Sequence, residues 1–217
     1  PTSLTVVVPI GATTGSISVT TPGGTAMSAT NFSVITLSSV SYAPKVDYTV
    51  GTTPREVAVG DLNNDGNLDI VSSNYGASSI SVLIGSGTGC FSLAQNFPAA
   101  TNAHGLALAD LNRDGILDVI TTNGSTNSSS LSVLLGTGSG FLLKVDYQTS
   151  ALPRTPNHMS VYDINQDSWP DLLTANNDPT GSFSILLNNG DGTFSVGVDY
   201  PSVNGPTYHV AAADING

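Results

Sequence analysis

The chain has 217 residues, a formal net charge of −11 and a single cysteine, Cys90. Sixteen acidic residues against five basic ones argue against a nucleic-acid surface, because phosphate backbones are bound by clustered lysine and arginine. One cysteine excludes an intrachain disulfide, and the sequence has no apolar run near the roughly 20 residues that a membrane-spanning helix needs.

The first 37 residues have their own pattern of strands and turns. A strand-like stretch at 1–9 is followed by an alternating stretch at 16–21 and by a returning hairpin partner at 23–34. The phrase Thr-Thr-Pro-Gly-Gly-Thr-Ala at 20–26, with Asn31-Phe32 after it, resembles the end of an immunoglobulin-like IPT/TIG domain. The resemblance implies that residues 1–37 are part of a β-sandwich.

The remaining domain, residues 38–217, is reached through a short linker at 36–42. Its first unit predicts short alternating strands, and nothing in it carries a helical period. These strands are predicted at Lys45–Val50, Glu56–Gly60, Leu68–Ser73 and Ile80–Ile84. Four short strands in a unit of roughly 50 residues are typical of a β-propeller blade. The sequence therefore predicts an all-β protein with about three and a half four-stranded β-propeller blades after a partial Ig-like β-sandwich.

An acidic phrase of nine residues recurs in these units, with Asp at positions 1, 5 and 9 and Asn at position 3. Copies begin at Asp61, Asp110 and Asp163, and a fourth begins at Asp214. Oxygen side chains at this spacing can surround a hard cation that prefers six to eight oxygen ligands. Gly at position 6 of the first two copies permits a left-handed turn, whereas Ser168 in the third copy predicts a weaker or distorted site.

These loops predict three Ca²⁺ sites, in which position 7 contributes only its backbone carbonyl. The predicted ligands are Asp61, Asn63, Asp65, Asn67 and Asp69 in the first loop, Asp110, Asn112, Asp114, Ile116 and Asp118 in the second, and Asp163, Asn165, Asp167, Trp169 and Asp171 in the third. Turns without any metal are the alternative, because Asp, Asn and Gly are also ordinary turn formers.

A second phrase, Asn-Gly-Asp-Gly-Thr-Phe at 189–194, follows the last full loop, and residues 87–91 and 138–141 are degenerate versions of it. With the loops, this phrase resembles the FG-GAP or VCBS repeats of integrin-like and bacterial surface propellers, over about residues 40–217. The resemblance implies that each calcium loop joins two strands of a blade. An extracellular location is expected, because external calcium fills even modest sites.

No catalytic constellation is evident in the sequence, and the protein is not expected to be an enzyme. His104, His158 and His209 each stand five or six residues before a loop aspartate, which predicts a structural role at the start of a strand. Trp169, the one tryptophan, is predicted to cover its loop or pack between blades, with sugar stacking as the alternative.

The sequence as a whole predicts a non-catalytic, calcium-binding protein of the extracellular surface that serves adhesion or forms a scaffold. Asn31, Asn123 and Asn127 begin N-glycosylation patterns and predict a glycoprotein. A carbohydrate-binding propeller module is one alternative. An accessory region of a secreted polysaccharide-active enzyme is another.

Both ends of the sequence fall within a unit, with half a sandwich at the start and half a blade at the finish. One interpretation is that the chain belongs to a longer polypeptide. The other is that neighbouring copies complete each other head to tail and form a filament. The expected partners are therefore the rest of a longer chain or copies of this one, with glycans or cell-surface ligands, and neither nucleic acid nor a membrane span.

Overall fold

The computed structural model describes residues 13–31, 44–99, 101–125, 129–202 and 205–215, and these contain strands, turns and bends but no helix. The chain divides into two compact units, Pro1–Val46 and Asp47–Gly217. The predicted boundary between residues 37 and 38 lies outside the described residues. The whole linker predicted at 36–42 lies outside them as well.

The described residues of the first unit form one antiparallel hairpin. Strand β1, Ser18–Thr21, pairs with β2, Gly24–Met27, and Ser18 lies opposite Met27. Gly24 has a φ of 133°, a conformation that side-chain-bearing residues rarely adopt, and it starts the returning strand. The predicted hairpin is thus present. Residues 1–12 and 32–37 of the predicted IPT/TIG-like sandwich lie outside the described residues, and the sandwich stays a prediction.

The second unit contains three four-stranded antiparallel sheets, each formed by strands that follow one another along the chain. The first sheet comprises β3 Pro54–Gly60, β4 Asp69–Asn74, β5 Ser79–Leu83 and β6 Gln95–Pro98. The second comprises β7 Ala103–Ala109, β8 Asp118–Asn123, β9 Ser130–Leu134 and β10 Val145–Gln148. The third comprises β11 Pro156–Tyr162, β12 Asp171–Asn176, β13 Ser182–Leu186 and β14 Val198–Pro201.

Three of the four strands predicted for the first unit agree with β3, β4 and β5 to within two residues at each end. The strand predicted at Lys45–Val50 is wrong, because residues 44–50 form no strand. The corresponding phrases in later units lie in β6, β10 and β14, which pair with the third strand of their own sheet. Each sheet therefore ends with this strand instead of beginning with it.

Apolar side chains fill the spaces between neighbouring sheets. One buried cluster joins Val71 and Ile80 of the first sheet to Leu106 and Val119 of the second. A second cluster joins the second sheet to the third, with Ile120 on one side and contributions from β11 to β13 on the other. The first strands of the sheets, β3, β7 and β11, contact one another in succession. This arrangement confirms the predicted all-β architecture of four-stranded, propeller-like blades.

Each sheet also carries a buried polar network at the end of its second strand. Asn74 donates through Nδ2 to the hydroxyls of Ser79 (3.1 Å) and Ser81 (2.8 Å) on the third strand. Asn176 repeats this pattern in the third sheet, with bonds of 3.0 Å to Ser182 and 2.8 Å to Ser184. Because buried polar groups are costly without partners, these bonds specify the register of the second and third strands.

Candidate functional site

The three acidic loops connect the first strand to the second in each sheet. Residues 61–68 join β3 to β4, residues 110–117 join β7 to β8, and residues 163–170 join β11 to β12. Since the three connections occupy equivalent places, the fold repeats one site in three neighbouring blades. Asp65, at position 5 of the first loop, is exposed to solvent, and Asp69, at position 9, is completely buried.

In the first loop, the side-chain oxygens of positions 1, 3 and 5 close around the backbone of the turn. Asp61 accepts the N–H groups of Asp65 (3.1 Å) and Gly66 (2.8 Å). Asn63 Oδ1 accepts the same Asp65 N–H at 3.1 Å, and Asn63 Nδ2 donates to Asp65 Oδ2 at 3.0 Å. Asp65 Oδ1 accepts the N–H of Asn67 at 2.7 Å. The loop thus gathers two carboxylates and one amide in a single turn.

The second and third loops repeat these bonds with nearly identical lengths. The N–H of position 5 donates to position 1 at 3.1 Å in both, from Asp114 to Asp110 and from Asp167 to Asp163. Ser168 at position 6 has a φ of 75° and donates its N–H to Asp163 at 2.8 Å. The turn therefore keeps its shape without Gly, and Ser168 bears a left-handed backbone conformation that costs about 1 kcal/mol.

The buried aspartate at position 9 has a second role. Asp69 Oδ2 accepts the N–H of Leu62 at 2.9 Å, and its Oδ1 accepts the N–H of Gly85, beyond β5, at 2.8 Å. Asp118 and Asp171 make the equivalent pairs of bonds in the second and third sheets. Position 9 therefore ties the start of the loop to the end of the third strand.

A family model described as FG-GAP-like repeat matches residues 61–121 and 163–217, which together are more than half of the chain. The chain belongs to the FG-GAP-like repeat family. No curated protein matches it at a significant level. FG-GAP repeats are typical of extracellular proteins and fit a coarse role in adhesion or scaffolding. In the part of the chain that the structure describes, no helix is long and apolar enough to cross a membrane.

Hydrogen bonds and burial give the carboxylates of the FG-GAP loops different electrostatic properties. The N–H of Asn67 and the side chain of Asn63 lower the pKa of Asp65 below its ordinary value. Burial raises the pKa of Asp118 to about 6, although the N–H groups of Gly136 and Leu111 oppose the shift. The exposed carboxylate is thus held as an anion, while the ionised form of the buried one is disfavoured by desolvation.

The donor set of these loops fits a hard cation. Positions 1, 3 and 5 carry carboxylate and amide oxygens, and position 7 would offer its backbone carbonyl. These are the oxygen types that Ca²⁺ prefers. Among the described residues, no group of three or more His, Cys, Asp or Glu side chains is placed to hold a metal ion. The calcium ligands therefore stay a prediction, with positions 1, 3 and 5 gathered on the turn and position 9 engaged by backbone N–H groups.

Contacts between successive loops were not evident from the sequence. At position 4 of the first loop, Asn64 Nδ2 donates to the carbonyl of Gly115 in the second loop at 3.0 Å. At the same position of the second loop, Arg113 donates to the carbonyl of Ser168 in the third. The Arg113 guanidinium also lies over the Trp169 ring, 4.8 Å from its centroid. The three loops therefore form a continuous chain of contacts across the blades.

One predicted glycosylation position is incompatible with the structure. Asn123 is buried in β8, with an exposed fraction of 1%, and donates to the hydroxyl of Ser130 at 2.6 Å. A glycan on this amide would have to break the polar network of the second sheet. The side chain of Asn31 is exposed, but the pattern that it begins extends outside the described residues, as does the pattern that begins at Asn127.

Proposed function

We propose that this FG-GAP protein is a non-catalytic, calcium-stabilised component of an extracellular adhesive or scaffolding structure. The observation that carries the proposal is the repetition of one oxygen-rich turn in three neighbouring blades, with the same hydrogen bonds in each. Three solvent-facing turns of this kind suit an environment that is rich in calcium.

The loops favour a cation because each one concentrates negative charge. Asp61 and Asp65 lie in the same turn, with Asp69 buried below them, and their mutual repulsion disfavours the ion-free loop. Bound Ca²⁺ supplies the opposing positive charge. Backbone N–H groups of the same turn hold these oxygens. Asp65, Asn63 and Asp61 are the first-loop residues that contact the ion in this proposal.

The non-catalytic role is supported by the engagement of the same carboxylates. Asp61 and Asp69 each accept two backbone N–H groups, and Asp65 accepts one together with the Asn63 amide. A general acid or base needs an oxygen that is free to exchange a proton with a substrate. These oxygens instead hold the turn together, which suits a structural role.

Assembly with a neighbouring copy is supported by the open face of the first blade. Val57 and Val59 of β3 are 59% and 55% exposed, whereas Leu106 of β7 and Met159 of β11, which occupy the Val57 position in their sheets, are buried. In those sheets the preceding blade covers the position. In this proposal, the third blade of another copy packs against this face. The side of the third blade that faces away from the second blade continues the repeat. Such head-to-tail contacts propagate into a filament.

Electron microscopy of the purified chain, in calcium and in excess chelator, combined with calcium titration calorimetry, tests the proposal. The expected result is calcium uptake at the loops, with regular assemblies that lose order in the chelator. Calcium uptake without assemblies would overturn the filament and keep the calcium sites. An absence of calcium uptake would overturn the calcium sites.

A further inference from the structure

An open cavity of about 450 Å³ lies where the first strands of the three sheets begin, away from the acidic loops. Its size falls in the range of small-molecule sites, roughly 300–1,000 Å³. The wall includes Arg55, Glu56, His104, His158, Tyr208 and His209. All three histidines of the chain therefore meet in one place.

The repeat explains why these side chains converge. Arg55, His104 and Tyr208 each stand six residues before the first aspartate of a loop, and Glu56, His158 and His209 each stand five residues before one. Equivalent positions in neighbouring blades lie side by side in this fold. The residue types at these two positions differ from blade to blade. A position with only a structural role in the repeat does not require such differences.

Contacts across the blades position the ionisable groups. The rings of His158 and His209 have centroids 4.5 Å apart, and His158 Nε2 lies 3.9 Å from Glu56 Oε1. Glu56 Oε2 accepts the N–H of Leu106 at 2.9 Å. His104 Nδ1 lies 3.2 Å from the carbonyl oxygen of Asn157. Each of these contacts thus joins residues of different repeat units.

The cavity also concentrates basic groups in a strongly acidic molecule. The chain has five Lys and Arg residues against sixteen acidic ones. Of the described residues that line this cavity, however, Arg55 and three histidines are basic, and one, Glu56, is a carboxylate. The local field and the donor set therefore match an anion when the imidazoles are protonated.

We propose that this cavity binds a small oxyanion, the carboxylate of an acidic sugar or a comparable organic acid, with Arg55, His158 and His209 as its principal donors. The guanidinium and the imidazolium groups supply N–H donors to carboxylate oxygens. Glu56 accepts the N–H of Leu106 through Oε2, and its Oε1 lies 3.9 Å from His158 Nε2. The site is separate from the calcium loops and does not depend on them.

Binding strengthens as the pH falls. Burial lowers the pKa of His158, and His209 and His104 lower it further, while Glu56 opposes the shift. An anion beside the rings favours their charged forms, so the complex binds more protons than the free protein. Proton linkage then requires tighter anion binding in mildly acidic solution.

The test is a titration of the whole chain with glucuronate, acetate and glucose, followed by the histidine ring signals in NMR and by calorimetry. We expect glucuronate and acetate to shift the His158 and His209 signals near pH 5.5, and to bind about tenfold more weakly near pH 7.5. Glucose, which lacks the carboxylate, has no comparable effect. Tighter binding of glucuronate than of acetate identifies an acidic sugar as the ligand, and equal binding identifies the carboxylate alone.

Matched variants separate the cavity from general electrostatics. Arg55→Gln and His209→Gln should each weaken anion binding by about tenfold, whereas Lys144→Gln, which removes the same charge outside the cavity, should not. Unchanged binding in the two cavity variants would overturn the proposal. So would the absence of anion binding near pH 5.5, or histidine shifts that only Zn²⁺ produces.

Discussion

Residues with the same chemistry have different tasks in the acidic loops, according to their position. Asp65 is exposed and accepts one backbone N–H, whereas Asp69 is buried and accepts two. The sequence does not distinguish the three aspartates of the nine-residue phrase. In the structure, the aspartates of positions 1 and 5 lie on the turn, and the aspartate of position 9 joins the start of the loop to the end of the third strand.

Replacement of Asp65 with Ala should remove one calcium site. The carboxylate lies in the exposed turn, so its loss removes a ligand of the first loop and leaves the other two loops intact. Calorimetric titration should give one bound ion fewer, and the melting temperature in calcium should fall. Asp191→Ala is the control, because Asp191 is also an exposed carboxylate that accepts N–H and hydroxyl bonds, but outside the loops. Equal calcium uptake by both variants would contradict the prediction.

Replacement of Ser168 with Gly should stabilise the third blade by about 1 kcal/mol, because Gly adopts the left-handed conformation without the steric penalty of a side chain. The reciprocal change, Gly115→Ser, should destabilise the protein by a similar amount. Gly115 has a φ of 84° and open space around its missing Cβ, so the backbone conformation alone determines the effect. Denaturant unfolding in chelator measures both. Changes of the same sign in the two variants would refute this explanation.

At the scale of the element, position 9 links a loop to its sheet. Asp69 accepts the N–H of Leu62 at one end of the loop and the N–H of Gly85 beyond the third strand. Without the carboxylate, both buried N–H groups lose their partner. Each such loss costs about 1–3 kcal/mol.

Asp69→Ala should therefore destabilise the protein in chelator as well as in calcium. Asp65→Ala is the comparison, since its effect should be much smaller in chelator, where no ion is bound. The measurement is the free energy of unfolding of both variants, in calcium and in chelator. If Asp69→Ala were as stable as the original chain in chelator, position 9 would act only as a calcium ligand.

The sequence predicted the elements more completely than the contacts between them. The strand positions of β3, β4 and β5 and the loops were predicted, because alternation and turn residues are local signals. The strand predicted at Lys45–Val50 was wrong, since the same phrase recurs at the end of each sheet and its pairing partner is set by the fold. The bond from Asn64 to Gly115 joins residues of different blades, and no local pattern specifies it.

For the functional residues too, the sequence predicted positions along the chain but not the contacts between blades. The repeat indicated that the three histidines occupy strand starts, and His104 and His158 lie in β7 and β11. Their convergence on one cavity required the packing of neighbouring blades. Position 9 was predicted as a metal ligand from its spacing alone, and its two backbone bonds became visible only with the third strand in place.

At the scale of the molecule, His158 makes the free energy of unfolding depend on pH. The pKa of His158 is lowered in the folded state, mainly by burial, so the unfolded chain binds this proton more readily. Stability from this residue is complete above the ordinary histidine pKa of about 6.5 and is lost as the pH falls through the lower folded-state value. The charges of His209 and His104 also oppose protonation of His158, and Glu56 favours it.

His158→Gln should therefore reduce the fall in melting temperature between about pH 7.5 and pH 5, because the amide does not titrate. The measurement is calorimetric melting across this range in a buffer without carboxylate anions. His104→Gln is the comparison from the same cavity. A pH dependence that His158→Gln leaves unaltered would assign the effect to other groups.

The exposed face of β3 makes the proposed self-assembly of the molecule testable. Val57 occupies a position that the preceding blade covers in the second and third sheets, and exposed apolar surface of this kind favours association. Val57→Lys places a charge at the proposed contact and should convert assemblies to single chains in light scattering. Leu143→Lys is the matched control, because Leu143 is 93% exposed but lies outside the strands. If both variants assemble like the original chain, the face of β3 does not form the contact, and a different surface must carry any association.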